Sequence, residues 1–386
     1  MYKILTLNKI SETGLKNFPE TYTHSGEETD PDAILVRSAS MHDMEMAKST
    51  LAIARAGAGV NNIPIDKCGE QGIVVFNTPG ANANAVKELV LCAMLLSSRK
   101  IPAAIDWAKT LKGNGAEVPK MVEKGKSAFA GPEIKGKTLG VVGLGAIGVL
   151  VANAALALGM EVYGYDPFLS VDAAWSLSRG VHHAASLDEI YANSDYITLH
   201  VPLTPDTKEL VCAKTIAAMK DNVRILNFAR GDLVNTDDIL AAINGGKVAA
   251  YATDFGNDEL LGAPGVLVLP HLGASTPESE DNCAVMAVEE IRDYLENGNI
   301  THSVNMPAVS VPRSGRARIT IIHKNVPNVI SKITSTVASE NINIDNMVNK
   351  SRGEYAYTML DTDTDVSADA IAAIEALDET VRVRVI

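Results

Sequence analysis

The sequence predicts an α/β protein with two parallel sheets and a smaller unit at its C-terminal end. Short apolar runs alternate with helical or polar stretches through most of the 386 residues, which is typical of parallel sheets covered by helices. A glycine-rich turn, Gly-Leu-Gly-Ala-Ile-Gly at residues 143–148, lies mid-chain between an apolar strand and an apolar helix. After residue 316 the elements follow the order βαββαβ, which is typical of a ferredoxin-like fold.

Composition restricts the class of protein further. Hydrophobic residues make up 46% and charged residues 21%, as in ordinary globular proteins, and the length predicts roughly two or three domains. The net charge of −13 argues against nucleic acid or an anionic membrane as a partner, so an anionic substrate would need a local basic cluster. The first residues lack a signal-peptide layout and the four cysteines are scattered. We therefore expect a cytoplasmic protein with reduced, buried thiols and no metal site.

Strand and helix patterns come in a regular order along the first half of the chain. Apolar runs bounded by turn residues predict strands, and these lie at 3–7, 33–36, 51–54 and 73–76. Apolar residues at helical spacing predict a helix over 84–99. The lysine- and glycine-rich segment 107–137 lacks a clear period, and we interpret it as a partly helical connection.

The second half continues with strands and then changes character. Strand patterns surround and follow the glycine-rich turn, at 138–142, 161–165, 196–201, 223–228, 248–254 and 266–269. A long amphipathic helix is predicted over 277–296, followed by a proline-containing linker over 305–316. The last unit has predicted strands at 318–323, 343–350, 355–361 and 381–386, with helices at 326–339 and 367–377.

The glycine-rich turn predicts a dinucleotide site. Gly143 permits the tight turn, Gly145 lets the backbone approach a pyrophosphate, and Gly148 allows the helix to pack closely on the strand. The N–H groups that begin this helix, at Ala146 and Ile147, face the phosphates together with the positive end of the helix dipole. This pattern predicts a Rossmann-type doubly wound sheet.

Asp166 indicates which dinucleotide binds. It ends the strand that follows the glycine-rich turn, about 20 residues on, where an acidic side chain accepts hydrogen bonds from a ribose 2′-hydroxyl. A carboxylate would repel a 2′-phosphate, and no basic residue closely follows it. NAD is therefore favoured over NADP.

Three polar residues at the ends of later strands predict acid–base chemistry beside the cofactor. His271 would take a proton from an alcohol as hydride leaves, and Glu259 would orient the imidazole and raise its pKa. Arg230 would bind a substrate carboxylate. Taken singly, they also fit a loop histidine, a solvated carboxylate and a surface ion pair. Together, behind a nucleotide motif, they favour a dehydrogenase.

These motifs resemble those of the D-isomer-specific 2-hydroxyacid dehydrogenases, and the resemblance covers essentially the whole chain. The segments that carry it are 143–148, Asp166, 200–204 (His-Val-Pro-Leu-Thr), 227–232 (Asn-Phe-Ala-Arg-Gly-Asp), Asp254 and 270–276. Within the family, residues 36–39 and 55–62 most resemble the branch that oxidises D-3-phosphoglycerate to 3-phosphohydroxypyruvate with NAD, in L-serine synthesis.

The resemblance implies a domain plan and a set of site residues. It implies a discontinuous, flavodoxin-like substrate domain (1–98 and 277–304), an NAD-binding domain (99–276), a linker (305–316) and an ACT domain (317–386). It places Arg230, Glu259 and His271 on the catalytic positions. Further cofactor contacts are implied at His200, Val201, Pro202, Thr207, Ala229, Asp254 and Gly273. Substrate contacts are implied at Arg37, Ser38, Arg55, Ala58, Gly59, Val60 and Lys126.

The C-terminal unit resembles an ACT domain, which is an amino-acid-sensing module. His323, Asn325 and Asn343 match positions that bind L-serine in feedback-inhibited members of the family. Asn328 replaces the usual glycine, and we expect the loop to survive because asparagine tolerates left-handed backbone angles. The alternative is a purely structural oligomerisation domain. The family also implies a homodimer or a homotetramer.

Two departures from the family pattern leave alternatives open. The segment Asp254-Phe-Gly-Asn-Asp-Glu259-Leu lacks the family's proline, so Asp258 is the fallback for Glu259. Segment 107–130 is longer than usual, which weakens the transfer of a role onto Lys126.

Two other functions remain in competition with phosphoglycerate oxidation. A dehydrogenase for glycerate, lactate or 2-hydroxyglutarate would not need the basic residues Arg37 and Arg55. An NAD-sensing regulator of the same fold would not need the three catalytic residues.

Overall fold

Two units make up the chain in the computed structural model, which describes all 386 residues. The first unit comprises Met1–Asn82 and Pro277–Ile386, and the second comprises Ala83–Thr276. The second unit is therefore an insertion between two pieces of the first along the chain.

Strands and helices alternate through both units. The strands are β1 (Tyr2–Leu7), β2 (Tyr22–Ser25), β3 (Ala33–Val36), β4 (Ala52–Arg55), β5 (Val74–Asn77), β6 (Thr138–Val142), β7 (Glu161–Tyr165), β8 (Val181–His183), β9 (Tyr196–Leu199), β10 (Val223–Asn227), β11 (Val248–Thr253), β12 (Val266–Val268), β13 (Ala317–Lys324), β14 (Ile344–Arg352), β15 (Tyr355–Thr362) and β16 (Thr380–Val385). The helices are α1 (Glu12–Leu15), α2 (Ile65–Glu70), α3 (Ala83–Arg99), α4 (Ile101–Thr110), α5 (Val118–Gly125), α6 (Ala146–Ala157), α7 (Val171–Ser176), α8 (Leu187–Asn193), α9 (Ala213–Ala218), α10 (Thr236–Asn244), α11 (Pro277–Asn297), α12 (Val329–Ser339) and α13 (Ala368–Glu375).

The predicted strands and helices are confirmed to within a few residues at their ends, but β2 and β8 carry no apolar run and escape prediction. Both lie at the edge of their sheet. Three of the four residues of β2 are exposed, and β8 is only Val-His-His. An edge strand with solvent on one side needs no continuous apolar sequence, so periodicity does not mark it.

The first parallel sheet has the strand order β2-β1-β3-β4-β5. All four strand pairs run parallel. Strand β3 is buried along its whole length, as expected for a central strand covered on both faces. The long helix α11 packs its buried face in the core of this sheet.

The second parallel sheet has the order β12-β11-β10-β9-β6-β7-β8, which is the doubly wound Rossmann order. Strand order reverses between β6 and β9, and ligands bind at the carboxyl ends beside such a switch point. Helix α3 belongs to this unit, because Val86, Val90 and Met94 are buried in its core. The expected boundary at residue 98 therefore moves to residue 82.

The third sheet is antiparallel, with the order β14-β15-β13-β16. Helices α12 and α13 bury apolar residues against it. The predicted βαββαβ order is confirmed. Residues 317–386 do not form a separate unit, however, because Ile322, Tyr357 and Met359 join the core that contains α11.

The segment 305–316 also differs from its prediction as a linker. Met306 and Val309 are buried, and residue 309 forms an isolated bridge with Ile300. The segment packs on the first unit because its apolar side chains have a core to enter. Proline content alone is a poor guide to such packing.

A buried arginine, paired with Asp361 inside the third sheet, joins that sheet to the rest of the first unit. The guanidinium of Arg318 donates from Nε to Asp361 Oδ1 (2.6 Å) and from Nη2 to Oδ2 (2.8 Å). Its remaining N–H groups reach the carbonyls of Asn297, Val311 and Pro312 at 2.9–3.1 Å. Burial by itself would raise the pKa of Asp361, but hydrogen bonds from Arg318 and Ser314 outweigh burial and hold that pKa below its ordinary value.

The apolar character of the helices and the exposure of the cysteines bear on two further expectations. No helix combines the length and apolar composition needed to cross a bilayer. The four thiols are free, but the expectation that all are buried is wrong, because Cys92 is exposed and Cys212 only half-buried. Cys92 lies on the outer face of an amphipathic helix, and small apolar residues occur there without cost.

We expect Arg318→Met to lower the free energy of unfolding by about 3–5 kcal/mol, because it leaves the Asp361 carboxylate buried without its cation. Urea denaturation followed by circular dichroism measures this change. Arg316→Met is the matched control, since the Arg316–Asp365 pair is exposed and its loss should leave the midpoint unchanged. An equally stable Arg318→Met protein would show that Arg318 does not hold the C-terminal sheet in place.

Candidate active site

The glycine-rich turn connects β6 to α6 beside the switch point of the second sheet. Gly143 has φ +91, and a Cβ there would lie 2.6 Å from the carbonyl oxygen of His200. A Cβ on Gly148 would lie 1.9 Å from the carbonyl oxygen of Gly143. Both positions therefore require glycine for the close approach of turn, helix and neighbouring strand.

The N-terminus of α6 fits a pyrophosphate. Gly145 is its N-cap and no side chain caps the helix, so the N–H groups of Ala146 and Ile147 remain for a ligand. A Cβ built on Gly145 would meet no atom within 4 Å, so space is open where phosphate oxygens would lie. The predicted contacts Gly145, Ala146 and Ile147 thus share one surface.

Asp166 lies at the carboxyl end of β7, with its carboxylate fixed by backbone groups. Oδ2 accepts from Leu144 N (2.8 Å) and Oδ1 accepts from Phe168 N (2.8 Å). Each oxygen keeps a lone pair for a ribose hydroxyl. The bond to residue 144 also fastens the glycine-rich turn to β7, so Asp166 orients the loop as well as offering acceptors.

His200 follows β9 and is electrically neutral. Its Nε2 shares a hydrogen bond of 2.9 Å with Thr198 Oγ1, and burial lowers its pKa to about 3. Its Nδ1 is buried without a partner in the chain. An orphaned polar atom at this end of the sheet is an observation that favours a bound ligand there.

The loop after β9 is held in shape by Thr207. Its Oγ1 donates to Pro202 O (2.6 Å) and accepts from Thr204 N (2.8 Å). The predicted contacts Val201, Pro202 and Thr207 therefore belong to one ordered loop at the carboxyl edge.

Arg230 and Ala229 follow β10. Ala229 N donates to Asn227 Oδ1 (3.2 Å), and Asn227 Nδ2 donates to Arg230 O (2.8 Å), so one amide side chain fixes this turn. The Arg230 side chain is exposed and donates only to the carbonyl of Ala229 (2.7 Å). An exposed guanidinium with a single neutral acceptor is able to bind an incoming carboxylate.

The structure brings His271 next to Asp254. Burial raises the pKa of Asp254, whereas the neighbouring His271 and the backbone at Gly273 lower it. Asp254 is 5% exposed and its Oδ1 has no partner, while Gly273 packs against Oδ2. The His271 ring contacts the edge of Phe255, with ring centroids 5.0 Å apart. The Asp254 carboxylate is therefore close enough to His271 for their charges to interact.

Glu259 is not bonded to His271 in this structure. It occupies an exposed turn after β11 and makes no hydrogen bond or ion pair, and the same holds for Asp258. Neither carboxylate is bonded to His271. The predicted Glu259–His271 hydrogen bond is thus absent in this structure, in which both side chains are exposed.

The predicted substrate residues of the first unit cluster at the carboxyl edge of its sheet. Arg37 and Arg55 follow or end the paired strands β3 and β4, and Arg55 Nε donates to Arg37 O (3.0 Å). Asn8 Oδ1 accepts from the Ser38 backbone N–H (3.1 Å) and so fixes the turn after Arg37. The Arg37 side chain pairs with Glu280 at 2.7 Å.

The loop 57–60 lies beside the Arg55 guanidinium. A Cβ on Gly57 would lie 2.5 Å from Arg55 Nη1, and one on Gly59 would lie 3.6 Å from it. Asn77 Nδ2 donates to Ala58 O (2.6 Å), which holds the loop. The predicted contacts Ala58, Gly59 and Val60 therefore share this edge with the arginines.

Lys126 belongs to the second unit and begins a short 3₁₀ turn. It is exposed and paired with Glu123 three residues earlier. Nothing in the structure distinguishes it from other exposed lysines of its segment.

The C-terminal sheet places two of the three predicted serine contacts at its surface. Asn325 and Asn343 are exposed, but His323 is buried, with Nε2 bonded to Thr358 Oγ1 (2.8 Å) and Nδ1 to Lys324 O (2.9 Å). A ligand would reach His323 only by displacing one of these bonds. Asn328 has φ +70, so the expected left-handed asparagine is confirmed.

Comparisons with known proteins decide the family. Residues 91–273 match the NAD binding domain model of the D-isomer specific 2-hydroxyacid dehydrogenases. A D-3-phosphoglycerate dehydrogenase of Haemophilus influenzae is 31% identical over 355 residues, covering 89% of this chain and 83% of that protein. The chain belongs to the D-isomer specific 2-hydroxyacid dehydrogenase family. The matched domain confirms the expected cofactor NAD.

Two further relatives show how far the dehydrogenase family likeness extends. A D-3-phosphoglycerate dehydrogenase of Methanocaldococcus jannaschii is 37% identical over 298 residues, or 75% of this chain. The chain spans about half the length of that relative, 54%. The NAD⁺-bound structure of a 3-phosphoglycerate dehydrogenase from Entamoeba histolytica is 25% identical with a TM-score of 0.60, covering 79% of this chain and 98% of that one.

Several residues beside the candidate site residues were not predicted from the sequence. Asn8 follows β1 at the same sheet edge as Arg37, so the strand-end rule that found Arg230 and His271 applies to it equally. Thr198, which fixes His200, lies inside a buried strand and gives no such signal. Glu280 lies in the first turn of α11, where an acidic residue is expected for helix stability alone.

We expect Asp166→Asn to weaken NADH binding about tenfold, because a hydrogen bond to a charged acceptor contributes roughly 1.5–3 kcal/mol. An amide has one acceptor oxygen, so Leu144 N or Phe168 N also loses its partner. Fluorescence titration of the full chain with NADH measures the dissociation constant. Asp172→Asn, in the first turn of α7, removes the same charge and should bind normally. Equal affinity of Asp166→Asn and the native protein would contradict the assigned ribose contact.

Proposed function

We propose that this chain catalyses the NAD-dependent oxidation of D-3-phosphoglycerate to 3-phosphohydroxypyruvate, the step that opens L-serine synthesis by the phosphorylated route. The observation that carries the proposal is the pair Arg37 and Arg55, bonded to each other beside the loop 57–60. A protein of net charge −13 needs such a local basic cluster to bind a substrate with a carboxylate and a phosphate. The names of the relatives support the same substrate.

Binding of the substrate uses charges at its two ends. The phosphate is assigned to Arg37 and Arg55, with Ser38 beside them. The carboxylate is assigned to the backbone N–H groups of loop 57–60 and to the Arg230 guanidinium, which also polarises the adjacent carbon–oxygen bond. A substrate held at both ends has one orientation of its C2 hydroxyl.

Proton transfer is assigned to His271. NAD, when bound, accepts the hydride from C2 of the substrate. His271 removes the proton from the C2 hydroxyl as the carbonyl forms, and it returns the proton in reduction. Asp254, beside the ring, stabilises the positive imidazolium that results.

Glu259 keeps its proposed place as the family's acid partner of His271, with Asp258 as the alternative. In this structure both carboxylates are exposed and neither is bonded to His271, so either would have to change its conformation to contact the imidazole. Asp254 needs no such movement.

We expect His271→Ala to lower kcat for 3-phosphoglycerate by about 10²–10⁴, the usual contribution of a positioned acid–base group. Formation of NADH followed by absorbance measures the rate. His183→Ala, which removes an exposed histidine of β8, is the matched control and should retain normal turnover. Near-normal kcat in His271→Ala would remove it from the proton path.

The same assay ranks the three carboxylates. Asp254→Asn should lower kcat, and Glu259→Gln should do so only if Glu259 contacts the imidazole during catalysis. Asp258→Asn separates the two neighbours. A panel with lactate, D-glycerate and 2-hydroxyglutarate tests the other 2-hydroxy acids, and absence of NADH with every substrate would favour a regulator.

We further propose that residues 317–386 form an ACT domain and that the first sheet is the flavodoxin-like substrate domain. The βαββαβ order, the antiparallel sheet and the left-handed Asn328 support the first assignment. The strand order 2-1-3-4-5 supports the second. Exposed apolar side chains of α3 and α4 at Leu95, Ile101 and Ile105 support a homodimer, which paired ACT domains would extend to a tetramer.

We expect L-serine to inhibit turnover and Asn343→Ala or Asn325→Ala to relieve that inhibition. Both amides are exposed and able to bind the charged groups of an amino acid. Initial rates across an L-serine series measure the effect, with D-serine as the ligand control and Asn341→Gly as the variant control. Rates and melting temperature that L-serine leaves unchanged would favour a purely structural domain.

A further inference from the structure

The first of the proposed phosphate-binding residues already has an anionic partner. Arg37 Nη2 lies 2.7 Å from Glu280 Oε1, and the two side chains are 38% and 43% exposed. An ion pair with this exposure contributes about 0.2–1 kcal/mol. It is therefore strong enough to occupy Arg37 and weak enough for a better anion to replace it.

The backbone around Arg37 is fixed, so its guanidinium has a defined position. Asn8 Oδ1 accepts from Ser38 N and Ala39 N (2.6 Å to the latter), and Arg55 Nε donates to Arg37 O. The side chain extends from this anchored turn to the first turn of α11. A phosphate that reaches Arg37 approaches the same guanidinium that Glu280 contacts through Nη2.

Glu280 is not needed to hold α11 in place. Asp281, its neighbour, makes the contact between the helix start and α1, by accepting from Ser11 Oγ. Glu278 provides another carboxylate for the positive end of the helix dipole. The bond to Arg37 is the single ion pair or side-chain hydrogen bond that Glu280 makes.

We infer that Glu280 is a specificity-determining residue that competes with the substrate phosphate for Arg37 and so sets the affinity for the phosphorylated end. The inference rests on the proposed function. A phosphate of charge about −1.5 to −2 displaces one carboxylate, whereas an uncharged hydroxymethyl group leaves the Arg37–Glu280 pair intact. Removing the charge of Glu280 should therefore improve binding of phosphorylated substrates and leave binding of unphosphorylated ones nearly unaffected.

Glu280→Gln tests this inference on the full chain with NAD. We expect kcat/KM for 3-phosphoglycerate, relative to that for D-glycerate, to rise about two- to fivefold because KM falls. This range corresponds to the free energy of an exposed ion pair. Glu278→Gln is the matched control, because it removes the same charge from the same helix end but does not contact Arg37. Its ratio should stay at the native value.

A double-mutant cycle isolates the pair. In an Arg37→Gln background, Glu280→Gln should have no effect on the ratio, since the contested cation is gone. A higher KM in Glu280→Gln would mean that Glu280 orients Arg37 for substrate and would overturn the inference. An unchanged ratio, or an equal change in Glu278→Gln, would overturn it as well.

If the native protein does not oxidise 3-phosphoglycerate, the proposed function is wrong, and this result is distinct from the outcomes above. The competition is then measured with inorganic phosphate and thermal melting of the full chain. Phosphate should stabilise Glu280→Gln more than the native protein, and the difference should vanish when Arg37→Gln is added. Equal stabilisation of the native and Glu280→Gln proteins would reject the competition.

Discussion

The first unit depends on how the C-terminal end of α11 satisfies its last carbonyl groups. A helix leaves up to four carbonyls without intrahelical partners, and buried ones need donors from elsewhere. Arg384 donates to the carbonyls of Tyr294 (3.2 Å) and Leu295 (2.9 Å), and Arg318 donates to that of Asn297. These donors come from β13 and β16. The antiparallel sheet therefore completes the helix that packs on the parallel sheet.

The same helix links different electrostatic environments. Its first turn carries Glu280, half-exposed and paired with Arg37. Further along, burial and the neighbouring Glu289 raise the pKa of Glu290 to about 9, so this carboxyl is neutral at pH 7 and shares a hydrogen bond of 2.7 Å with His302 Nδ1. In its last turn, the ring of Tyr294 is covered by the guanidinium of Arg384 from β16, which lies 4.6 Å from the ring centroid. The side chains at the two ends of α11 are therefore charged, because they are solvated or paired, whereas the buried Glu290 carboxyl between them is neutral.

Patterns of local origin allow most of the fold to be predicted from the sequence. β6 and β7 are predicted with their observed bounds because apolar runs between turn residues report strands buried on both faces. The glycine-rich turn and Asp166 are likewise local, since each residue's role follows from its place at a strand end. β2 was missed because an edge strand carries no such run.

The features that could not be predicted from the sequence depend on contacts between distant parts of the chain. Glu259 is chosen from its spacing after Asp254, but spacing does not report that the turn faces solvent or that Asp254 itself lies beside His271. The pairing of Arg37 with Glu280 joins residues far apart in sequence. Neither depends on a periodic pattern, so only the folded arrangement reveals them.

The core shared by α11 and the C-terminal sheet also determines whether the first unit can fold without that sheet. Composition predicts that residues 305–316 form a linker. A chain ending there would nevertheless lose the arginine donors to Tyr294, Leu295 and Asn297 and expose the apolar residues that Ile322 and Met359 cover. The sheet is thus a structural part of the unit that carries Arg37. Helix α11 has this sheet against its C-terminal end and Glu280 in its first turn, so one rigid element spans the distance between the two.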